Sequence, residues 1–117
     1  MILLVEDEAI TRSAFADALR MEGEEVIQAA NGMRALSLLD KSHVDLVITD
    51  LAMPKLNGFD LVSQIRSTWP HIPILIISAY ISQDAARISD GNAEFIRKPI
   101  DPPDLIATVR RLLPTPR

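Results

Sequence analysis

Two short runs, Ile2-Leu3-Leu4-Val5 and Ile74-Leu75-Ile76-Ile77, are apolar at every position. A strand with one wet face alternates apolar and polar residues, so unbroken runs of this kind belong to a sheet covered on both faces. Further β-rich runs lie at Val44 to Thr49 and Glu94 to Ile96, with a weaker one at Glu25 to Gln28, which makes five expected strands. Between them, apolar residues recur at helical spacing: Ile10, Ala14, Ala18 and Met21, then Ala35, Leu38 and Leu39, then Leu61, Val62 and Ile65. A last helix takes Asp101 as its N-cap, Pro102 and Pro103 in its first turn, and Leu105, Ile106, Val109, Leu112 and Leu113 as its buried stripe. Arg110 and Arg111 stand near its negative dipole end, and Pro114 and Pro116 stop it. Alternation of strands and helices with right-handed crossovers predicts an α/β fold, a doubly wound five-stranded parallel sheet of order 2-1-3-4-5 in a three-layer sandwich.

The 117 residues are enough for one core, and no internal repeat or linker interrupts them. Residues 1–113 are expected to form the domain and residues 114–117 a Pro-containing tail. The chain has no cysteine, which removes disulfides, thiol nucleophiles and thiolate zinc sites and suits a cytoplasmic location. Its net charge of -4 argues against direct nucleic-acid binding, which needs clustered Lys and Arg. The longest apolar run, Met1 to Val5, has five residues, far below the ~20 needed for a membrane span. Glu6, Asp7 and Glu8 follow at once and rule out a signal-peptide core.

In open parallel sheets, function collects at the carboxyl ends of the strands. Here the first strand ends in Glu6-Asp7, the third in Asp50, the fourth in Ser78 and the fifth in Lys98-Pro99. Each has an ordinary reading: acids after a strand are commonly solvated or cap helices, a serine turns the chain, a lysine is a surface charge. Together they point elsewhere. Carboxylates crowded at one rim repel unless a cation lies among them, and oxygen ligands suit a hard ion such as Mg²⁺. His43 and His71, which have no partner motif, read as surface or turn residues. Trp69-Pro70 reads as shielding the core edge, and Met21 and Met33 as helix packing.

The ordered set of an acid pair, Asp-x-x-Met-Pro-x-x-x-Gly from Asp50 to Gly58, Ser78-Ala79 and Lys98-Pro99 resembles the response-regulator receiver domains of two-component signalling, over Ile2 to Leu113. The resemblance implies a flavodoxin-like sandwich. It also implies that Asp50 is the phosphoacceptor, that Lys98 and Ser78 assist it, and that Mg²⁺ is held by Glu6, Asp7, Asp50 and the backbone carbonyl of Ala52. Ser78 and Phe95 would form the switch, with Pro99 in a cis peptide. The implied partners are a sensor histidine kinase or histidine phosphotransfer protein and an unknown output partner, the domain itself being a monomer or weak dimer. Such a chain is a signalling domain that catalyses its own phosphotransfer and slow dephosphorylation, not a turnover enzyme.

Glu6 stands where the family more often has Asp, and Ile100 replaces a frequent Phe. The stretch from Ser78 to Lys98 is short for the family and holds Ser82, Ser89, Asp90, Gly91 and Asn92, so its helix is expected to be stunted. Other functions fit less well. An FMN carrier needs a phosphate-cradling loop where this chain has Glu6-Asp7-Glu8. A phosphatase of the haloacid dehalogenase type needs a second acid two residues past the nucleophile, where Ala52 stands. The four glycines are too scattered for a dinucleotide fingerprint. A receiver-like module that only binds partners is the remaining alternative, and the intact set of Glu6, Asp7, Asp50, Ser78 and Lys98 argues against it.

Overall fold

A computed structural model describes residues 1–50, 58–78 and 93–113 of the chain. Strands β1 (Ile2–Val5), β2 (Val26–Ala29), β3 (Leu46–Asp50), β4 (Ile74–Ser78) and β5 (Ala93–Arg97) alternate with helices α1 (Ala9–Met21), α2 (Gly32–Lys41), α3 (Gly58–Thr68) and α4 (Pro102–Leu112). All strand pairs are parallel and the order is β2-β1-β3-β4-β5, as the sequence pattern predicts. The helix expected between Ser78 and Lys98, the Met53-Pro54 pair and the tail lie outside the described residues.

The apolar strands divide their side chains between two cores. Leu3, Val5, Val47, Ile74 and Ile76 face α2 and α3, where they meet Ala35, Leu39, Leu61, Val62 and Ile65, with Trp69 packed at the margin. Ile2, Leu4, Leu46, Ile48, Leu75 and Ile77 face Ala16 and Leu19 of α1 and Leu105 and Val109 of α4. Every residue of β1, β3 and β4 is buried. The unbroken apolar runs thus record two covered faces.

On α1 the structure corrects the expected stripe. Ile10 is 79% exposed, Met21 is 85% exposed, and Ala14 is exposed with them, while Ala16 and Leu19 turn inward beside the partly buried Phe15. Met33 on α2 is also exposed. The helix carries two apolar stripes at helical spacing, and spacing alone does not say which one a sheet will cover.

Helix starts are fixed locally. Asn31 caps α2 through its Oδ1, which accepts the Arg34 amide at 2.9 Å. Asp101 occupies the N-cap of α4 but makes no side-chain capping bond, and Pro102 and Pro103, which have no amide hydrogens, fill the first turn instead. Asn31→Ala is expected to destabilise the domain by about 1 kcal/mol and lower its melting temperature by about 4 °C. Thermal unfolding followed by circular dichroism checks this, and an unchanged midpoint would show that water caps α2 as well as the side chain does.

Candidate functional site

The site forms where the ladders end. Val5 pairs with Thr49, so Glu6 emerges beside Asp50 at the same level of the sheet. Ser78 pairs with Arg97, and the next residue, Lys98, donates its amide to the Ser78 carbonyl at 2.8 Å. Four strands therefore deliver Glu6, Asp50, Ser78 and Lys98 to one rim, and Asp7 follows Glu6. The Lys98–Pro99 peptide is cis.

Glu6, Asp50 and Ser78 are buried, and Asp7 is exposed. Glu6, Asp7 and Asp50 each offer a carboxylate oxygen within 4.8 Å of the others. Lys98 Nζ bridges two of them, donating to Asp50 Oδ2 at 2.6 Å and to Glu6 Oε1 at 3.1 Å. Burial raises the Glu6 carboxyl above its usual range, against the pull of the Glu8 amide and of Lys98. For Lys98 burial acts downward, yet hydrogen bonds and charge from Asp50 and Glu6 outweigh it and hold the ammonium above its ordinary value. Two ionised carboxylates at this separation repel by roughly 3 kcal/mol at an effective dielectric constant near 20. One lysine among three carboxylates still leaves the rim with a negative formal charge.

Phe95 pairs with Ile76 and packs, partly buried, against the core on the α2 and α3 side. Ala52 lies outside the described residues. Of the remaining candidates, Ser78 ends its strand beside Lys98 at the same rim, and Glu6, Asp7, Asp50 and Lys98 come together as the sequence predicts.

Two contributors were not legible. Glu8 caps α1, its carboxylate accepting the Thr11 hydroxyl at 2.7 Å, the Thr11 amide at 2.7 Å and the Ile10 amide at 3.3 Å, and these bonds, the hydroxyl's first, lower its pKa. Arg12 donates through Nη1 to the Glu6 carbonyl at 2.7 Å. Glutamate is an uncommon N-cap, and a contact from Arg12 back to Glu6 follows no periodic pattern, so neither left a signal in the sequence.

Fold and rim together define a doubly wound α/β protein with an acidic trio and a bridging lysine at its sheet's switch point. The family described as response regulator receiver domain matches residues 2–110. The chain belongs to that family and is a response regulator receiver domain of the two-component class. It is 35% identical over 112 residues to the response regulator protein FleR of Pseudomonas aeruginosa, covering 94% of this chain and 24% of FleR. The chain spans half or less of the length of the first curated relatives it matches. Among solved structures it resembles the chemotaxis protein CheY4 of Vibrio cholerae, at 31% identity and a TM-score of 0.86, covering 96% of this chain and 97% of that one. It resembles equally the response regulator TrrA of Thermotoga maritima solved in complex with Mg(2+)-BeF, at 32% identity and a TM-score of 0.85, with 96% and 97% covered. Among the described residues no helix is long and apolar enough to cross a membrane.

Proposed function

We propose that residues 1–113 form a unit that takes a phosphoryl group from a phosphohistidine onto Asp50, with Mg²⁺ as cofactor, and switches a surface read by an output partner. One observation carries this reading: the buried Asp50 carboxylate lies 2.6 Å from Lys98 Nζ and within 4.8 Å of carboxylate oxygens of Glu6 and Asp7. The donor set fits Mg²⁺, since the three acids offer hard carboxylate oxygens that lie within 4.8 Å of one another. That TrrA was solved in complex with Mg(2+)-BeF supports the same ion here. Glu6, Asp7 and Asp50 would hold it, with the Ala52 carbonyl as the ligand the family adds. When bound, Mg²⁺ supplies neutralising charge for the phosphoryl oxygens.

The chain's own groups do the rest. An Asp50 carboxylate oxygen forms the new O–P bond with its electron pair while the P–N bond to the donor imidazole breaks and leaves its pair on nitrogen. Lys98 turns its ammonium from the Asp50 oxygen to a phosphoryl oxygen, and the Ser78 hydroxyl takes another. The donor is a sensor histidine kinase or a histidine phosphotransfer protein, and the domain works in the cytoplasm. It catalyses its own phosphorylation and loses the group slowly.

Acetyl phosphate tests the reading directly. With Mg²⁺ the chain should gain a phosphoryl adduct visible by intact mass spectrometry and removed by hydroxylamine, and with EDTA it should gain none. A folded chain that forms no adduct with Mg²⁺ present would overturn it.

The switch allows a separate prediction. Full burial of a Phe ring is worth about 1.5 to 3 kcal/mol, so the ring of Phe95 can be held in or out by a small local bias. Ser78 would supply that bias when its hydroxyl moves to the phosphoryl group. Ser78→Ala should still accept the phosphoryl group, more slowly, while the amide shift changes that beryllium fluoride causes around Phe95 in the wild type largely vanish. Wild-type shift changes in the variant would exclude the hydroxyl as the link.

A further inference from the structure

Arg12 is drawn to the acidic rim, but not to its carboxylates. Its Nη1 donates to the backbone carbonyl of Glu6 at 2.7 Å, in a partly buried contact across the start of α1. The Glu6 amide donates to the Ala29 carbonyl at 3.1 Å, so β2 holds one side of this residue and α1 the other. The Glu6 carbonyl belongs to the peptide that leads into Asp7. Fixing its oxygen fixes the plane of that peptide, and with it the placement of the Asp7 nitrogen and Cα from which the side chain departs. Asp7 is the one exposed member of the trio and lies beyond the last paired residue of β1, so no ladder holds it. Helix α1 is itself anchored at this end by the Glu8 cap, and the Arg12 amide donates to the Glu8 carbonyl at 2.9 Å. Arg12 therefore reaches back from a firm base.

We infer that Arg12 is a positioning residue for the Mg²⁺ site: by gripping the Glu6 carbonyl it sets the peptide from which Asp7 reaches toward Glu6 and Asp50. This rests on the Mg²⁺ site proposed above. Outer groups that orient metal ligands commonly change metal affinity by 10–100-fold when removed. A purely structural role would be different. Arg20 provides the comparison, because at the far end of the same helix its Nη2 donates to the Val26 carbonyl at 2.8 Å, a tether of the same kind that does not touch the Glu6, Asp7 and Asp50 strand-end residues.

The test is Mg²⁺ binding by isothermal titration calorimetry on the full chain, with the unfolding midpoint in EDTA measured alongside. Arg12→Ala should weaken Mg²⁺ binding about tenfold, and Arg20→Ala should leave it within twofold of wild type while lowering the midpoint by a similar amount. Because the contact uses a single Nη1, Arg12→Lys, which keeps the charge and a donor, should recover most of the affinity. Should Arg12→Ala fail to fold, Arg12→Gln carries the test with the same expected loss, its amide ending well short of the Glu6 carbonyl. Wild-type affinity in Arg12→Ala, an equal loss in Arg20→Ala, or no recovery in Arg12→Lys would overturn the assignment. A wild-type chain that binds no Mg²⁺ would remove both this role and the site it serves.

Discussion

Asp50→Asn is expected to reduce phosphoryl uptake from acetyl phosphate by more than a factor of about a thousand, because removing a nucleophile removes the step and not merely an aid to it. The fold should survive. Asn has nearly the shape of Asp, and its carbonyl can still accept from Lys98, whose Nζ lies 2.6 Å from Asp50 Oδ2 in the wild type. The rival acceptors are Glu6 and Asp7, whose carboxylates share the rim. Asp7 is exposed, and a phosphoryl group there would be open to water; Glu6 has its Oε2 engaged by the Glu8 amide at 3.2 Å and its Oε1 by Lys98. Peptide mapping after borohydride reduction locates the adduct. Undiminished labelling of Asp50→Asn, or reduction mapped to Asp7, would remove Asp50 from the centre of the chemistry.

Asp7→Asn should reverse its rank against the wild type when Mg²⁺ is added. In EDTA the variant loses one of three crowded negative charges, and because Asp7 is exposed and screened the gain should be about 1 kcal/mol, or about 4 °C in melting temperature. With Mg²⁺ at a hundred times its dissociation constant the wild type should gain about 2.7 kcal/mol, or about 10 °C, by mass action alone. Asp7→Asn should gain far less, having lost a ligand oxygen and the charge behind it. Thermal unfolding of both chains, with and without the ion, reads the crossing. Equal Mg²⁺ shifts in the two would place the ion elsewhere.

The sheet was legible because double coverage writes itself into composition: β1 is apolar throughout and β4 is apolar from Ile74 to Ile77, as strands covered on both faces are. The boundary errors are small and have causes. Val44 is buried but precedes the ladder of β3, which begins at Leu46 and includes Asp50 itself. Burial and strand pairing are different demands, and sequence shows only the first. The misread face of α1 has another origin, since Ile10, Ala14 and Met21 keep helical spacing as well as Ala16 and Leu19 do. Which stripe is covered depends on where the chain enters the helix, and that is set by Glu8 and its capping bonds. At the site, the acids and Lys98 could be read because each ends a strand. The bonds of Lys98 to both Glu6 and Asp50, and the grip of Arg12, are products of three-dimensional closure between residues with no shared period.

In a sheet with one wet face, a strand that slips by one residue turns its apolar side chains into water, and that penalty holds the register. Strands β1, β3 and β4 are buried on both sides, so a slip exchanges one apolar residue for another and the usual penalty is missing. Charged residues at the strand ends replace it. Glu6 follows β1, Asp50 closes β3, and Asp45 stands just before β3. Sliding either strand lengthwise would drag a carboxylate into the hydrocarbon layer, at several kcal/mol for an ion without a partner. The acids gathered at the rim thus also act as buffers at the ends of a track. Neutralising them together should loosen the alignment of the strands during folding even where it relieves repulsion in the finished domain.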